Sequence, residues 1–222
     1  MQLPTEVPVM TLPNVILFPQ AMLPLHIFEA RYRRMLADAL ASHRMFAVAM
    51  ARRGRPRHAA PHVAGLGLIR ASVESADGTS NLILQGLARV ELGEVVRERP
   101  YRLHRVRPLP PAGRANVAVE ALATKVLELV SERLKLGFDT AASPGLKPAA
   151  EPAAIQALRD VLKHLADLDD PEQLADLVSA TLLPDARDRQ VILETRELEG
   201  RLRWLIQFLL REIQRKRNTS QE

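Results

Sequence analysis

The residues of this chain that could do chemistry begin with two histidines, His58 and His62, at the four-residue spacing with which a helix presents metal ligands. They lie in the segment RPRHAAPHVAG, where Pro61 favours a loop, and no third ligand lies near them in the sequence. Structural zinc normally takes four ligands. The sequence therefore predicts a solvated loop here and no metal site.

No residue set typical of catalysis is recognisable either. The 222 residues include no cysteine, which excludes disulfides, thiolate zinc sites and a cysteine nucleophile. No GxxxxGK[ST] segment is present, which excludes a P-loop nucleotide site. His26 alternates away from Leu25 and Ile27, which predicts a side chain facing solvent or a helix end, and it has no visible serine or cysteine partner. We therefore expect no enzymatic activity, no catalytic residue and no cofactor.

Positive charge is concentrated in one run, which contains Arg52, Arg53, Arg55 and Arg57. Such a run can neutralise phosphates, so nucleic-acid binding is one interpretation. No aromatic residue interleaves with the arginines, so base stacking is unsupported. The whole chain has 26 Arg against 5 Lys, which favours an arginine-rich surface loop. Nucleic-acid binding is the alternative, less favoured function.

Composition and charge divide the chain into two halves. Residues 1–114 carry 16 Arg, no Lys and 8 acidic residues, a net charge of +8, whereas residues 115–222 carry 15 basic and 18 acidic residues, a net charge of −3. Apolar residues make up 47% of the chain and aromatic residues 4%, which predicts an aliphatic core. No long apolar run or secretory signal is recognisable, so we expect a cytoplasmic protein without a membrane segment.

The first half has the pattern of short strands with one helix. Pro13, Pro19 and Pro24 divide an apolar segment into short extended pieces, and Asp77-Gly78 predicts a hairpin turn. Helical spacing then begins at Phe28, and it predicts that Phe28 and Tyr32 belong to the core and that Glu29 caps or precedes the helix. The further strands that we predict are Phe46–Met50, Val63–Ser72, Asn81–Leu87, Val90–Val96 and Tyr101–Val106.

The second half has the pattern of a helical bundle. An apolar stripe from Val119 to Leu134 predicts a helix that ends at Gly137, and 140–152 has the composition of a linker. A second stripe runs from Ile155 to Leu165. Asp170 and Asp185 predict the N-caps of two further helices, and the last helix is expected to fray after Arg215.

Three segments carry a family resemblance across nearly the whole chain. They are LPNVILFPQAMLPLHIFEARYRRM at 12–35, QGLARVEL at 85–92 with Pro100-Tyr101, and LADLVSATLLPDARDRQVILETRELEGRLRWLIQFLLREI at 174–213. This set resembles the Lon substrate-binding domain, the amino-terminal domain of Lon proteases, which also occurs as a free-standing protein. The resemblance implies an α+β fold with a small barrel of the pseudouridine-synthase-and-transglycosylase-like (PUA-like) type at 1–110, one covering helix, and a helical bundle at 115–217.

The resemblance also implies a function in binding rather than catalysis. The sequence corresponds to the substrate-binding part of the family without its ATPase and peptidase parts. The expected partners are exposed apolar segments of unfolded proteins or a specific protein partner, with the edge strands near Val15 to Leu25 adding main-chain hydrogen bonds. The oligomeric state is open. The candidate binding residues are Leu25, His26, Phe28, Glu29, Arg31 and Tyr32.

Overall fold

The computed structural model describes residues 3–51, 62–110, 112, 116–139, 160, 163, 165 and 167–219. The basic run Arg52, Arg53, Arg55 and Arg57, the residue His58 and the linker 140–152 lie outside these residues, as does the side chain of His62. The described residues form an α+β fold. The strands are β1 (Glu6–Leu12), β2 (Met22–Ile27), β3 (Met45–Met50), β4 (His62–Glu74), β5 (Ser80–Arg97) and β6 (Arg102–Leu109). The continuous helices are α1 (Ala30–Leu40), α2 (Val117–Asp139), α3 (Pro171–Leu182), α4 (Ala186–Glu194) and α5 (Leu198–Thr219).

The chain divides into two compact units. The first comprises Met1–Pro110 with Pro184–Arg196, and the second comprises Pro111–Leu183 with Glu197–Glu222. The division predicted from the sequence placed α4 in the helical part. In the structure α4 packs on the strands instead, because the Gln190 amide Nε2 donates a 3.0 Å hydrogen bond to the Val63 carbonyl of β4.

The first unit is built on one six-stranded sheet in the order β2-β5-β4-β3-β1-β6. Strand β5 also pairs with β6, so that β5, β4, β3, β1 and β6 are connected in a closed circuit, and β2 lies outside it. The strands differ in two respects from a set of short antiparallel strands, which is the arrangement that the Gly and Pro turns of the sequence favour. Strand β5 is a continuous 18-residue strand where two strands were predicted, and β1 pairs with β3 in parallel.

The hairpin predicted at Asp77-Gly78 is confirmed. It joins β4 to β5, and Gly78 adopts a φ of 75°, in the left-handed region that glycine favours. The Asp77 carboxylate accepts a hydrogen bond of 2.9 Å from the Thr79 backbone N–H. The conformation of Gly78 and this hydrogen bond are both local to the turn, which is why the turn is recognisable from the sequence.

Helix α1 covers one face of the sheet with the apolar side chains Tyr32, Met35, Leu36 and Ala39. The Tyr32 hydroxyl accepts a hydrogen bond from the Thr11 N–H at 3.2 Å, which attaches the helix to β1. The prediction that Tyr32 belongs to the core is therefore confirmed. The same prediction for Phe28 is wrong, because its side chain is 63% exposed.

The second unit contains α2, α3 and α5. The predicted N-cap of α3 is confirmed, since the Asp170 carboxylate accepts a hydrogen bond from the Glu172 N–H and Pro171 occupies the first helical position. The prediction that Gly137 ends α2 is wrong, since the helix continues to Asp139, and α5 continues past Arg215 to Thr219. In the first unit, Asp185 caps α4 as predicted.

Candidate functional site: the outer face of strands β2, β5 and β4

Strand β2 alternates between a face directed to the core and a face directed to solvent. Leu23 and Leu25 are partly buried and pack against the core below α1. Met22, Pro24 and His26 are exposed on the other face. This alternation follows from the two-residue period of a strand. It places the candidate residue Leu25 mainly on the inner face.

The outer face continues across two more strands. Pro24 is paired with Ile83 of β5, which is in turn paired with Ala71 of β4. In the next row, His26 is paired with Asn81 and Asn81 with Val73. Paired residues of antiparallel strands point to the same face. We call the apolar members of this surface the outer apolar face: Met22, Pro24, Phe28, Ala71, Val73 and Ile83.

Three large side chains of the outer apolar face are exposed to solvent. The exposed fraction is 58% for Met22, 63% for Phe28 and 68% for Val73. Phe28 lies before the first residue of α1 and continues the alternation of β2, so it points outward with His26 rather than inward with the helix. A groove of about 450 Å³ runs along this face, lined by Pro24, Leu25, His26, Ala71, Val73, Asn81, Leu82 and Ile83.

Polar groups lie at one end of the groove. The His26 Nδ1 and the Asn81 Oδ1 are 3.0 Å apart, and the His26 ring is stacked on Phe28 with centroids separated by 6.0 Å. The Asp77 carboxylate in the adjoining turn has a pKa below its ordinary value, because the Thr79 backbone and hydroxyl both donate to it. The Asp77 carboxylate is therefore ionised at neutral pH.

The junction of β2 and α1 holds two further candidate residues. Glu29 occupies the N-cap position of α1, where its backbone carbonyl accepts hydrogen bonds from the N–H groups of Tyr32 and Arg33. Its side chain makes no cap bond and instead accepts from Arg31 Nε at 2.8 Å. Both side chains remain accessible, and both residues lie within three positions of Phe28 in the chain.

Of the six members of the outer apolar face, sequence reasoning named only Phe28 as a candidate binding residue. His26, Phe28, Glu29 and Arg31 lie at or beside it, whereas Leu25 and Tyr32 contribute to the core. The missed residues are Met22, Pro24, Ala71, Val73 and Ile83. Met22 and Pro24 could have been found from the two-residue period of the strand, which continues to His26. The residues of β4 and β5 could not be found from the sequence, because their proximity to β2 depends on strand pairing.

A larger cleft of about 710 Å³ lies at the other end of α1. The Tyr101 hydroxyl donates a 2.8 Å hydrogen bond to the Asp38 carboxylate, and this bond holds the pKa of Asp38 below its ordinary value. Burial raises the pKa of Tyr101. The Asp38 carboxylate is also paired with Arg34. Asp38 and Tyr101 in the cleft are thus engaged with each other, whereas Met22, Phe28 and Val73 of the outer apolar face are exposed to solvent.

The part of the chain that the structure describes contains neither a metal-binding cluster nor a membrane-spanning helix. In that part, no cluster of three or more histidine, aspartate or glutamate side chains has an arrangement that could hold a metal ion. None of its helices combines the length and the apolar character that crossing a membrane requires.

Comparison with known proteins identifies the family. The model of the ATP-dependent protease La (LON) substrate-binding domain matches residues 6–211. The chain belongs to this family. Among curated relatives of the Lon substrate-binding domain family, Lon protease of Anaeromyxobacter dehalogenans is 28% identical over 214 residues, and Lon protease 2 of Herpetosiphon aurantiacus is 30% identical over 214 residues. These matches cover 94% of this chain but only 23% and 24% of the two relatives, so the chain spans about a quarter of their length.

Solved structures of Lon amino-terminal domains share the fold. The N-terminal domain of a Mycobacterium avium complex Lon protease superposes with a TM-score of 0.67 at 20% identity, covering 92% of this chain and 98% of that one. The Lon N-terminal domain protein from Xanthomonas campestris superposes with a TM-score of 0.61 at 19% identity, covering 92% and 99%. The match extends through both units, as the family resemblance of the sequence implied.

Proposed function

We propose that this chain is a non-catalytic substrate-binding module that captures exposed apolar segments of unfolded polypeptides on the outer apolar face. The observation that carries the proposal is the exposure of Met22, Phe28 and Val73 on one face of three adjacent strands. Exposed apolar side chains that are grouped in this way are typical of binding surfaces. Membership of a substrate-binding domain family supports the same function.

The shape of the surface suits an extended segment. An unfolded polypeptide can present apolar side chains at every second residue, and the groove between the rows of Pro24 and His26 has the same pleated period. The groove is open, so each contact buries only part of a side chain. We expect weak, rapidly reversible binding, because association and ordering of the segment oppose the gain from apolar burial.

The test is a titration of a fluorescently labelled unfolded polypeptide with the wild-type chain and a triple variant, Met22→Ser, Phe28→Ser and Val73→Ser. We expect the triple variant to bind at least about tenfold more weakly, the loss expected when about 1.4 kcal/mol of apolar burial is removed. The matched control is Val117→Ser, because Val117 is 82% exposed but lies in the second unit. Equal binding by the triple variant and the wild type would refute this site.

Nucleic-acid binding through the basic run is the alternative function. The outer apolar face favours a polypeptide partner. The salt dependence of the binding affinity distinguishes polypeptide binding from nucleic-acid binding. Phosphate contacts release counterions, so RNA affinity falls by about a thousandfold or more between low and moderate salt when six or more contacts form. Apolar burial changes far less. If only RNA binds, and binding is lost on changing Arg52, Arg53, Arg55 and Arg57 to Ser, the alternative is correct.

We also propose the type of fold that each part of the chain adopts and where the chain acts in the cell. The closed circuit of strand pairings supports a PUA-like barrel for residues 1–110, and α2, α3 and α5 support a helical bundle within 115–217. We further propose that the chain needs no cofactor and acts in the cytoplasm. A specific protein partner is a second possible occupant of the same face.

A further inference from the structure

The free edge of β2 carries a row of main-chain groups whose direction can be derived from the sheet. Gly86 of β5 donates its N–H to the Ala21 carbonyl at 2.9 Å, so residue 21 is at a hydrogen-bonded position of the ladder. The register pairs Leu23 with Leu84 and Leu25 with Leu82. Hydrogen-bonded pairs recur at every second residue of an antiparallel ladder. Leu23, Leu25 and Ile27 therefore direct their main-chain groups toward β5.

It follows that Met22, Pro24 and His26 direct their main-chain groups away from β5. Within the described residues, β2 pairs with no other strand. Three carbonyls therefore line this edge, but only Met22 and His26 supply N–H groups, because proline has none. A proline at this position removes no bond to β5 and one donor from the free edge.

We propose that the free edge of β2 accepts an extended guest segment as an added strand. Pro24 is a specificity-determining residue of this edge, because it weakens pairing with a second copy of this chain more than it weakens pairing with the guest. The proposal rests on the proposed function and deepens it, since it adds main-chain pairing to apolar contact. The guest is an extended polypeptide segment with apolar side chains at alternate positions. Strand addition of this kind is a general mode of peptide recognition.

Bond counts explain the selectivity. A guest strand opposite Met22, Pro24 and His26 would form two bonds with each residue if all three had an N–H group. Pro24 lacks its donor, so the guest forms five of the six bonds. In a two-fold pair of β2 strands centred on Pro24, both copies lack that donor, and four of the six bonds form. Self-pairing thus loses two bonds, one from each copy of Pro24, whereas guest binding loses one.

Pro24 also determines which main-chain groups of the guest find a partner. The guest amide that faces Pro24 can still donate to the proline carbonyl, whereas the guest carbonyl at that position has no donor opposite it. Exposed strand edges are sites of unwanted association, and proline on an edge is one of the devices that limit it. The edge of β2 is therefore suited to transient capture rather than to stable sheet extension.

A peptide series tests the strand addition directly. The probe is a short labelled peptide of alternating valine and serine, and each member of the series carries one N-methyl group at a successive amide. Strand addition predicts that binding is lost at every second position, because only alternate amides donate to β2. Binding through side chains alone predicts no alternation. Losses without alternation would overturn the proposal.

Substitution of Pro24 tests its role. Pro24→Ala and Pro24→Val both restore an N–H group, and two variants are used so that a loss of folding in one does not end the test. We expect peptide affinity to rise about two- to twelvefold, the effect of one net backbone hydrogen bond. The dimerisation constant measured by analytical ultracentrifugation should rise by about the square of that factor. Met22→Ala is the control, because it removes apolar area and leaves every N–H group in place.

The outcomes separate this inference from the proposed function. If the wild-type chain binds unfolded polypeptide and neither Pro24 variant changes peptide affinity or dimerisation, the role of Pro24 is wrong and the proposed function stands. If the wild-type chain binds no polypeptide but both Pro24 variants dimerise more strongly, the proposed function is wrong and the control of self-pairing by Pro24 is supported. Absence of both effects overturns both proposals.

Discussion

Replacing Arg201 with Met should strongly destabilise the second unit. Arg201 lies on α5 with a side chain that is 1% exposed, and its guanidinium NH1 is 2.9 Å from the Glu172 carboxylate and 3.5 Å from the Asp176 carboxylate of α3. The Asp176 side chain is 3% exposed, so loss of the cation leaves a buried carboxylate without the positive charge of Arg201. Breaking a buried ion pair by removing one partner costs about 3–5 kcal/mol.

An exposed ion pair on the same helix provides the matched control. Arg203 pairs with Glu199, but its side chain is 64% exposed and screened by solvent. Exposed pairs contribute roughly 0.2–1 kcal/mol, so Arg203→Met should cost less than about 1 kcal/mol. The two substitutions remove the same kind of side chain from one helix, and burial is what distinguishes them.

The assay uses the single tryptophan of the chain. Trp204 lies on α5, so its fluorescence during urea unfolding reports the second unit. Adding Asp176→Asn to Arg201→Met should recover part of the lost stability, because it removes the carboxylate charge that Arg201 had neutralised. A loss below about 1 kcal/mol for Arg201→Met, or no difference from Arg203→Met, would show that this ion pair does not hold α3 and α5 together.

Three further predictions concern single positions. Gly86→Ala should destabilise the first unit by roughly 1–3 kcal/mol, because a Cβ there would lie 1.9 Å from the Phe18 carbonyl oxygen. Gly93→Ala on the same strand is the milder control in thermal unfolding, because a Cβ there would lie 3.2 Å from its nearest neighbour. Asp170→Ala should cost about 1 kcal/mol through loss of the N-cap bond of α3, and Asp170→Asn, which keeps an acceptor, should cost less in the same urea assay. Burial lowers the pKa of His104 below its ordinary value, so the unfolded chain binds more protons and the stability of the first unit should fall as the pH decreases below about 6.5. His104→Gln should reduce the difference between unfolding midpoints measured above and below that pH, and an unchanged difference would exclude this histidine as its source.

Local signals in the sequence predicted the features that depend on neighbouring residues. The turn at Asp77-Gly78 and the N-caps at Asp170 and Asp185 were recognisable because each is stabilised by a hydrogen bond to a residue only two positions away. The helical period of α1 likewise predicted the burial of Tyr32. The family was recognisable from three longer segments, and the candidate binding segment at β2 lies within the first of them, 12–35.

The sequence by itself thus determined the family, the α+β class, the turns and the caps. Only the tertiary structure decided which residues form the outer apolar face. Phe28 points to solvent because it continues the alternation of β2, and no local pattern distinguishes that from the first turn of α1. Val73 and Ile83 join Pro24 through strand pairings that connect residues distant in the chain. The free edge of β2 and the packing of α4 on β4 could not be predicted for the same reason. Both depend on contacts between segments that the order of residues in the chain does not specify.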